Sequence, residues 1–142
     1  MAETKVVLDT SVLVAGLRSR RGAAFALLSL VGTGRFDIAL SVPLVLEYED
    51  ALLRQVEESW LKESDVGDLL DYLCSVAIRQ EIFFLWRPYL RDPEDDMVLE
   101  LAVAAGCEAI ITYNRRDFAN AESFGLRVLT PAEFLDEIGG AR

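Results

Sequence analysis

The sequence has no histidine, only two cysteines and only two lysines. The missing histidine excludes a histidine-based nucleophilic triad, imidazole acid–base chemistry and a zinc site of the usual His type. Cys74 and Cys107 lack metal-ligand spacing and read as small core residues of a cytosolic protein. No apolar run approaches the ~20 residues of a membrane span. The N-terminal residues are polar and the first apolar run is short, so no signal peptide is expected and the location expected is cytoplasmic. Basic charge is also scarce. With 24 acidic against 14 basic residues, the net charge of −10 speaks against a protein held on nucleic acid by overall positive charge. Local basic patches or bound cations can still reverse the field at one site, and a basic protein partner fits the balance. Any acid–base or metal chemistry must run on carboxylates.

What is present describes a folded domain. The hydrophobic fraction of 52% and charged fraction of 27% are those of a globular chain, so residues 1–138 are expected to form one domain and 139–142 a loose C-terminal tail. Short apolar runs alternate with helical patterns. Strands are expected at Val6–Leu8, Phe36–Leu40, Ile82–Leu85, Glu108–Thr112 and Gly125–Leu129. Helices are expected between them, with Ser41, Asp92 and Thr130 as caps, prolines at first turns, and glycines at 32, 34 and 106 closing helix ends. This alternation predicts an α/β fold: three α/β/α layers around a central parallel sheet of four to five strands.

The acids are not spread evenly over this pattern. Val6, Val7 and Leu8 read as a strand buried on both faces, which ends abruptly in Asp9 before the helix formers from Thr10 onward. Asp9 either closes that turn as a capping residue or presents its carboxylate at the C-terminal edge of the sheet, where ligands bind in open α/β folds. Glu47 is nearly surrounded by Leu44, Tyr48 and Ala51, with no Lys or Arg one turn away, which points to function. Its neighbours Glu49 and Asp50 read as a solvated face. In Asp92-Pro93-Glu94-Asp95-Asp96, Asp92 is a natural cap with a possible supporting role, while Glu94 and Asp95 complement the helix dipole. Asp96 lies beyond the reach of capping and opens an almost wholly apolar helix, so it points to function. Asn114 and Asp117 have the spacing of a capping box, yet they also sit with Thr112 at a second strand edge. Arg18, Arg20 and Arg21 form a solvated turn or a phosphate-contact loop, and Arg115 and Arg116 are further candidates for phosphate contact. Trp86 and Tyr89 pack in a core or at a dimer contact, or stack on bases.

Two carboxylates ~5 Å apart at an effective dielectric of ~20 repel by roughly 3 kcal/mol. If Asp9, Glu47, Asp96 and Asp117 converge, a hard divalent cation is the cheap remedy, and oxygen donors of this kind select Mg²⁺ or Mn²⁺ over zinc. Such a site does phosphoryl chemistry.

These pieces, in this order, resemble a known family. Val6-Val7-Leu8-Asp9-Thr10-Ser11, Ser41-Val42-Pro43 with Glu47, Asp92-Pro93-Glu94-Asp95-Asp96, Thr112-Tyr113-Asn114 with Asp117-Phe118, and Leu129-Thr130-Pro131-Ala132-Glu133-Phe134 are similar to the PIN domain, and more closely to the toxin-type (VapC-like) PIN ribonucleases of prokaryotic toxin–antitoxin systems. The resemblance implies a metal-dependent endoribonuclease acting on RNA, with Asp9, Glu47, Asp96 and Asp117 as catalytic and metal-site residues and Thr112 and Asn114 in support. It also implies a small antitoxin partner and a homodimer. Relatives often carry Gly-Asp where this chain has Tyr113-Asn114, so a second metal site would have one charge fewer here. Rival enzymes fit poorly. A haloacid-dehalogenase-type phosphatase needs an Asp where Ser11 stands, and a receiver domain needs an acidic pair before Asp9 and a late lysine. A dinucleotide-binding domain needs glycines where Asp9-Thr10-Ser11 stands. The rival of another class is a non-catalytic module that only binds protein or RNA.

Overall fold

A computed structural model describes residues 4–57, 61–82 and 93–139 of the chain. Strand β1 (Lys5–Leu8) leads into helix α1 (Thr10–Arg18) and then α2 (Ala23–Leu30). Strand β2 (Asp37–Leu40) leads into the long helix α3 (Val42–Val56), followed by α4 (Glu63–Val76) and the short strand β3 (Ile78–Arg79). Helix α5 (Pro93–Ala104) and strand β4 (Ala109–Ile111) follow, then a 3₁₀ helix (Arg115–Phe124), strand β5 (Arg127–Leu129) and helix α6 (Pro131–Ile138).

All five strands are parallel, in the order β3-β2-β1-β4-β5. The first strand is therefore the middle of the sheet, and Val6, Val7 and Leu8 are buried on both faces as their β-branched, apolar run requires. Chain order runs one way from β1 to β2 and β3, and the other way to β4 and β5. The reversal falls between β1 and β4, which pair through Val6↔Ala109, Val7↔Ile110 and Leu8↔Ile111. In open parallel sheets a crevice opens at the carboxyl ends of the strands at such a reversal.

Local signals set most element ends. Ser41 accepts the Leu44 N–H at the start of α3, and Thr130 with Glu133 closes a reciprocal capping box on α6. Gly106 takes φ +69° just past α5, a left-handed conformation that a side chain would strain. Helix α5 packs Val98, Leu99, Leu101 and Ala102 into the core, and Phe36 meets Phe134 edge-on with ring centroids 5.2 Å apart. The Tyr48 hydroxyl, on α3, donates to the Leu8 carbonyl and so ties that helix to the end of the central strand. Cys74 is half-buried and Cys107 buried, both as free thiols.

Among the described residues the third strand lies ahead of the one expected at Ile82–Leu85, of which only Ile82 is described. It is Ile78–Arg79, and Ile82 lies beyond it. A two-residue strand at the sheet edge, held only by its register Ala39↔Ile78 and Leu40↔Arg79, is too short to show an alternating pattern. Phe83, Phe84 and Leu85 of the expected strand lie outside the described residues, as do Trp86, Pro88, Tyr89, Arg91 and Asp92.

Candidate active site

Asp9 follows the last residue of β1 and is buried at the crevice between β1 and β4. It occupies the N-cap position of α1, but its side chain makes no capping hydrogen bond. Its Oδ2 instead accepts two hydroxyl hydrogen bonds: from Ser11 Oγ at 2.8 Å and from Thr112 Oγ1 at 2.7 Å. Ser11 stands in the first turn of α1 and Thr112 just past β4, so the carboxylate is held from both sides of the reversal.

The hydroxyls are themselves fixed. Ser11 Oγ accepts the Tyr113 N–H at 3.2 Å, and Thr112 Oγ1 accepts the Asn114 N–H at 2.9 Å. With each hydroxyl proton spent on Asp9 and a lone pair spent on a backbone donor, neither rotor is left to turn. The 3.4 Å approach of the two hydroxyl oxygens is then a contact without a proton to share. Among the described residues no hydrogen bond falls on the other carboxylate oxygen, Oδ1.

Asp9 lines an open cleft of about 420 Å³ together with Ser11, Glu47, Asp95, Asn114 and Asp117. Glu47 comes from α3, half-buried, one residue before the buried Tyr48. Burial pushes the Tyr48 phenol well above its ordinary pKa, and the nearby Asp9 carboxylate adds to the rise. Asp117 comes from the exposed side of the 3₁₀ helix. Asn114 precedes that helix without a side-chain capping bond, so the structural reading of Asn114 and Asp117 as a capping box does not hold. Glu49 and Asp50 are exposed as expected, and Asp50 pairs with Arg54.

Two neighbouring acids of α5 are placed differently. Asp95, which dipole complementarity explained, lines the cleft; Asp96 is 8% exposed and is not among the lining residues. Glu100, one turn further along, is buried at 4% exposed. The reasoning that singled out Asp96, an acid in an apolar helix, applies equally to Glu100, and its signal was present in the sequence. Glu47, Asp95, Asp96 and Glu100 each have an interaction partner in the structure. Ser11 was also missed as a site residue, although its position two residues after Asp9 is what makes the clamp.

The arginines divide. Arg18 lines the cleft. Arg20 borders a separate hollow with Phe25 and Asp65, and Arg21 and Arg116 are exposed away from the cleft lining. Arg115 is engaged by Glu133 of α6 in a two-armed ion pair at 3.0 and 3.1 Å, so its charge is already answered.

Among the described residues no three acids stand close enough to hold a metal ion between them. The donor chemistry fits a hydrated ion better than a closed cage. Every polar side chain that lines the cleft apart from Arg18 offers oxygen, and Mg²⁺ keeps several of its waters while taking one or two direct carboxylates. The clamped Asp9 carboxylate, with one oxygen oriented by hydroxyls, is suited to be one of them.

The comparisons with known proteins agree with the fold. The family model of the PIN domain matches residues 5–116. Among solved structures, a chain of VapBC2 from Rickettsia felis bound to a DNA fragment from their promoter superposes with a TM-score of 0.58 at 16% identity, over 88% of this chain and 98% of that one. A chain of FitAB bound to an IR36 DNA fragment gives 0.54 at 17% identity, over 89% and 94%. No curated protein matches the sequence.

Proposed function

The chain belongs to the PIN domain family, and from that premise we propose that it is a divalent-metal-dependent endoribonuclease, the toxin of a toxin–antitoxin pair. The observation that carries the proposal is the clamped Asp9 carboxylate at the sheet reversal, sharing one cleft with Glu47, Asp95 and Asp117. These four acids reach one cleft from four separate segments of the chain: the end of β1, α3, α5 and the 3₁₀ helix.

In this reading Asp9 and Asp96, with Asp95 beside it on α5, would hold the principal Mg²⁺ or Mn²⁺. Bound there, the ion supplies an activated water and charge to stabilise the leaving oxygen of a phosphodiester. Glu47 and Asp117 accept hydrogen bonds from the attacking water and orient it. Thr112 and Ser11 keep Asp9 in position, and Asn114 offers a neutral carbonyl oxygen. Arg18 contacts a phosphate of the strand. Asp92, outside the described residues, retains its supporting role as a proposal.

A small antitoxin is the proposed partner. The structural likeness to chains of VapBC2 and FitAB supports it. A homodimer is supported by Val42 and Leu46, 73% and 58% exposed one turn apart on α3, beside an apolar groove of about 720 Å³ that both residues line. No helix among the described residues is long and apolar enough to cross a membrane, which is compatible with a cytoplasmic site of action.

The test is cleavage of a single-stranded RNA by wild type and Asp9→Asn, each with Mn²⁺ and with chelator. Cleavage by wild type with metal alone is the expected result. Equal rates from both proteins, or cleavage indifferent to chelator, overturn the proposal. One observation favours a second reading, a non-catalytic module that binds RNA or protein: no three described acids are gathered closely enough to hold an ion. That reading gains if the wild type binds no divalent ion.

A further inference from the structure

Tyr113 differs from the other aromatic side chains of the described residues. The residue is 45% exposed, and it lines the acidic cleft. Phe36, Tyr48, Phe118 and Phe134 are core residues. Tyr72 is equally exposed, but its hydroxyl donates to the Val31 carbonyl at 2.7 Å, so it has structural work. Phe124 is also exposed and does not line the cleft. No hydrogen bond falls on the Tyr113 hydroxyl among the described residues.

The backbone beneath the ring is rigid. The Tyr113 N–H is held by Ser11 Oγ, the Thr112 N–H donates to the Leu129 carbonyl at 2.8 Å, and the Asn114 N–H is held by Thr112 Oγ1. The same two hydroxyls clamp Asp9, so the backbone that carries Tyr113 is tied to that carboxylate. Val14 and Ala15 of α1 add apolar surface to the same cleft, and Arg18 adds its one cation.

With a net charge of −10, overall charge does not hold an anionic strand, and at the cleft only a bound cation and Arg18 would offset it among the described lining residues. Neutral contact with the bases must carry more of the binding. An exposed aromatic face does this, because every base has a face to stack and the interaction survives without positive charge. Resting on the ribonuclease reading, we propose that Tyr113 is a substrate-binding residue that stacks on a nucleobase adjacent to the scissile phosphate, and thereby selects single-stranded RNA whose base is free to leave its own stack.

The test uses the full chain with Mn²⁺, a single-stranded RNA with one defined cut, and the same RNA made abasic at each position flanking the cut. Tyr113→Ala is expected to raise KM roughly 5- to 150-fold with kcat little changed, and Tyr113→Phe to behave as wild type. One abasic position is expected to penalise wild type and to add nothing to Tyr113→Ala. Duplex RNA is expected to be a poor substrate for wild type. An unchanged KM in Tyr113→Ala overturns the proposal, as does an abasic penalty that persists in that variant at every position. If wild type does not cleave at all, the ribonuclease reading fails separately, and equilibrium binding of the same RNA decides the stacking. Equal binding by wild type and Tyr113→Ala, or no binding by either, then overturns it.

Discussion

The two edges of the sheet handle charge in opposite ways. At the N-terminal edge, unlike charges and dipoles meet. Lys5 Nζ donates to the Ala105 carbonyl at 2.8 Å, where the end of α5 gathers partial negative charge, and Arg127 pairs with Glu137 across the start of β5. At the C-terminal edge, Asp9, Glu47, Asp95 and Asp117 share one cleft with one arginine, Arg18, among the described residues that line it. Pairing at the first edge is what a fold needs for solubility and helix ends. The lining of the second is weighted toward acidic oxygen donors, which is the chemistry that would draw a hard cation. The contrast marks the C-terminal edge as the place to test for the proposed activity.

The sharpest way to break the contrast is Asp9→Asn. Asparagine keeps the shape and can still accept the Ser11 and Thr112 hydroxyls through its carbonyl, but it removes the charge. Cleavage is expected to fall by about a hundredfold or more, as for loss of a principal charged group at a reacting centre, while the melting temperature stays level or rises because a like charge has gone. A large loss of stability would show Asp9 to be structural.

Thr112→Val comes next. The fully buried hydroxyl serves both Asp9 and the Asn114 N–H, so its loss should lower divalent-ion affinity about 10- to 100-fold. It should also destabilise the fold by roughly 1–3 kcal/mol by stranding a donor. Thr112→Ser should restore most of both. Calorimetric titration and thermal melts check the two arms.

Smaller effects come from the interior. Burial raises the Cys107 thiol to about 11 and pushes the Tyr48 phenol well above its usual value. Both groups hold protons in the folded state that the unfolded chain gives up, so their contribution to stability is complete below pH 9; the Cys107 share is lost as pH rises through about 11, and Tyr48 adds to the fall once pH passes the ordinary phenol range. Melting temperature should fall across that window, and less steeply in Cys107→Ala. The smallest effect belongs to the N-terminal edge. Arg127→Ala removes an exposed ion pair and should leave both cleavage and metal binding as in wild type.

Much of this was legible from residues. The β1 run, the Ser41 and Thr130 caps and the Gly106 stop are local signals, and each forms where it reads. Strand β3 was not legible, because two residues become a strand only by pairing with β2. In the site, Asp9 and Glu47 stood out as acids at the end of, or inside, apolar segments. Asp95 did not, since a first-turn acid is explained by the helix dipole, and only the way α5 packs on the sheet decides which acid meets the cleft. Arg115 could be read as free because its partner Glu133 lies 18 residues further along the chain.

The proposed activity depends on a divalent ion being drawn to the acidic cleft. Titration calorimetry of Mn²⁺ into wild type and Asp9→Asn measures this without any choice of RNA. The expected result is saturable binding by wild type that is weakened at least tenfold in Asp9→Asn. No binding by wild type, or equal binding by both proteins, would contradict it.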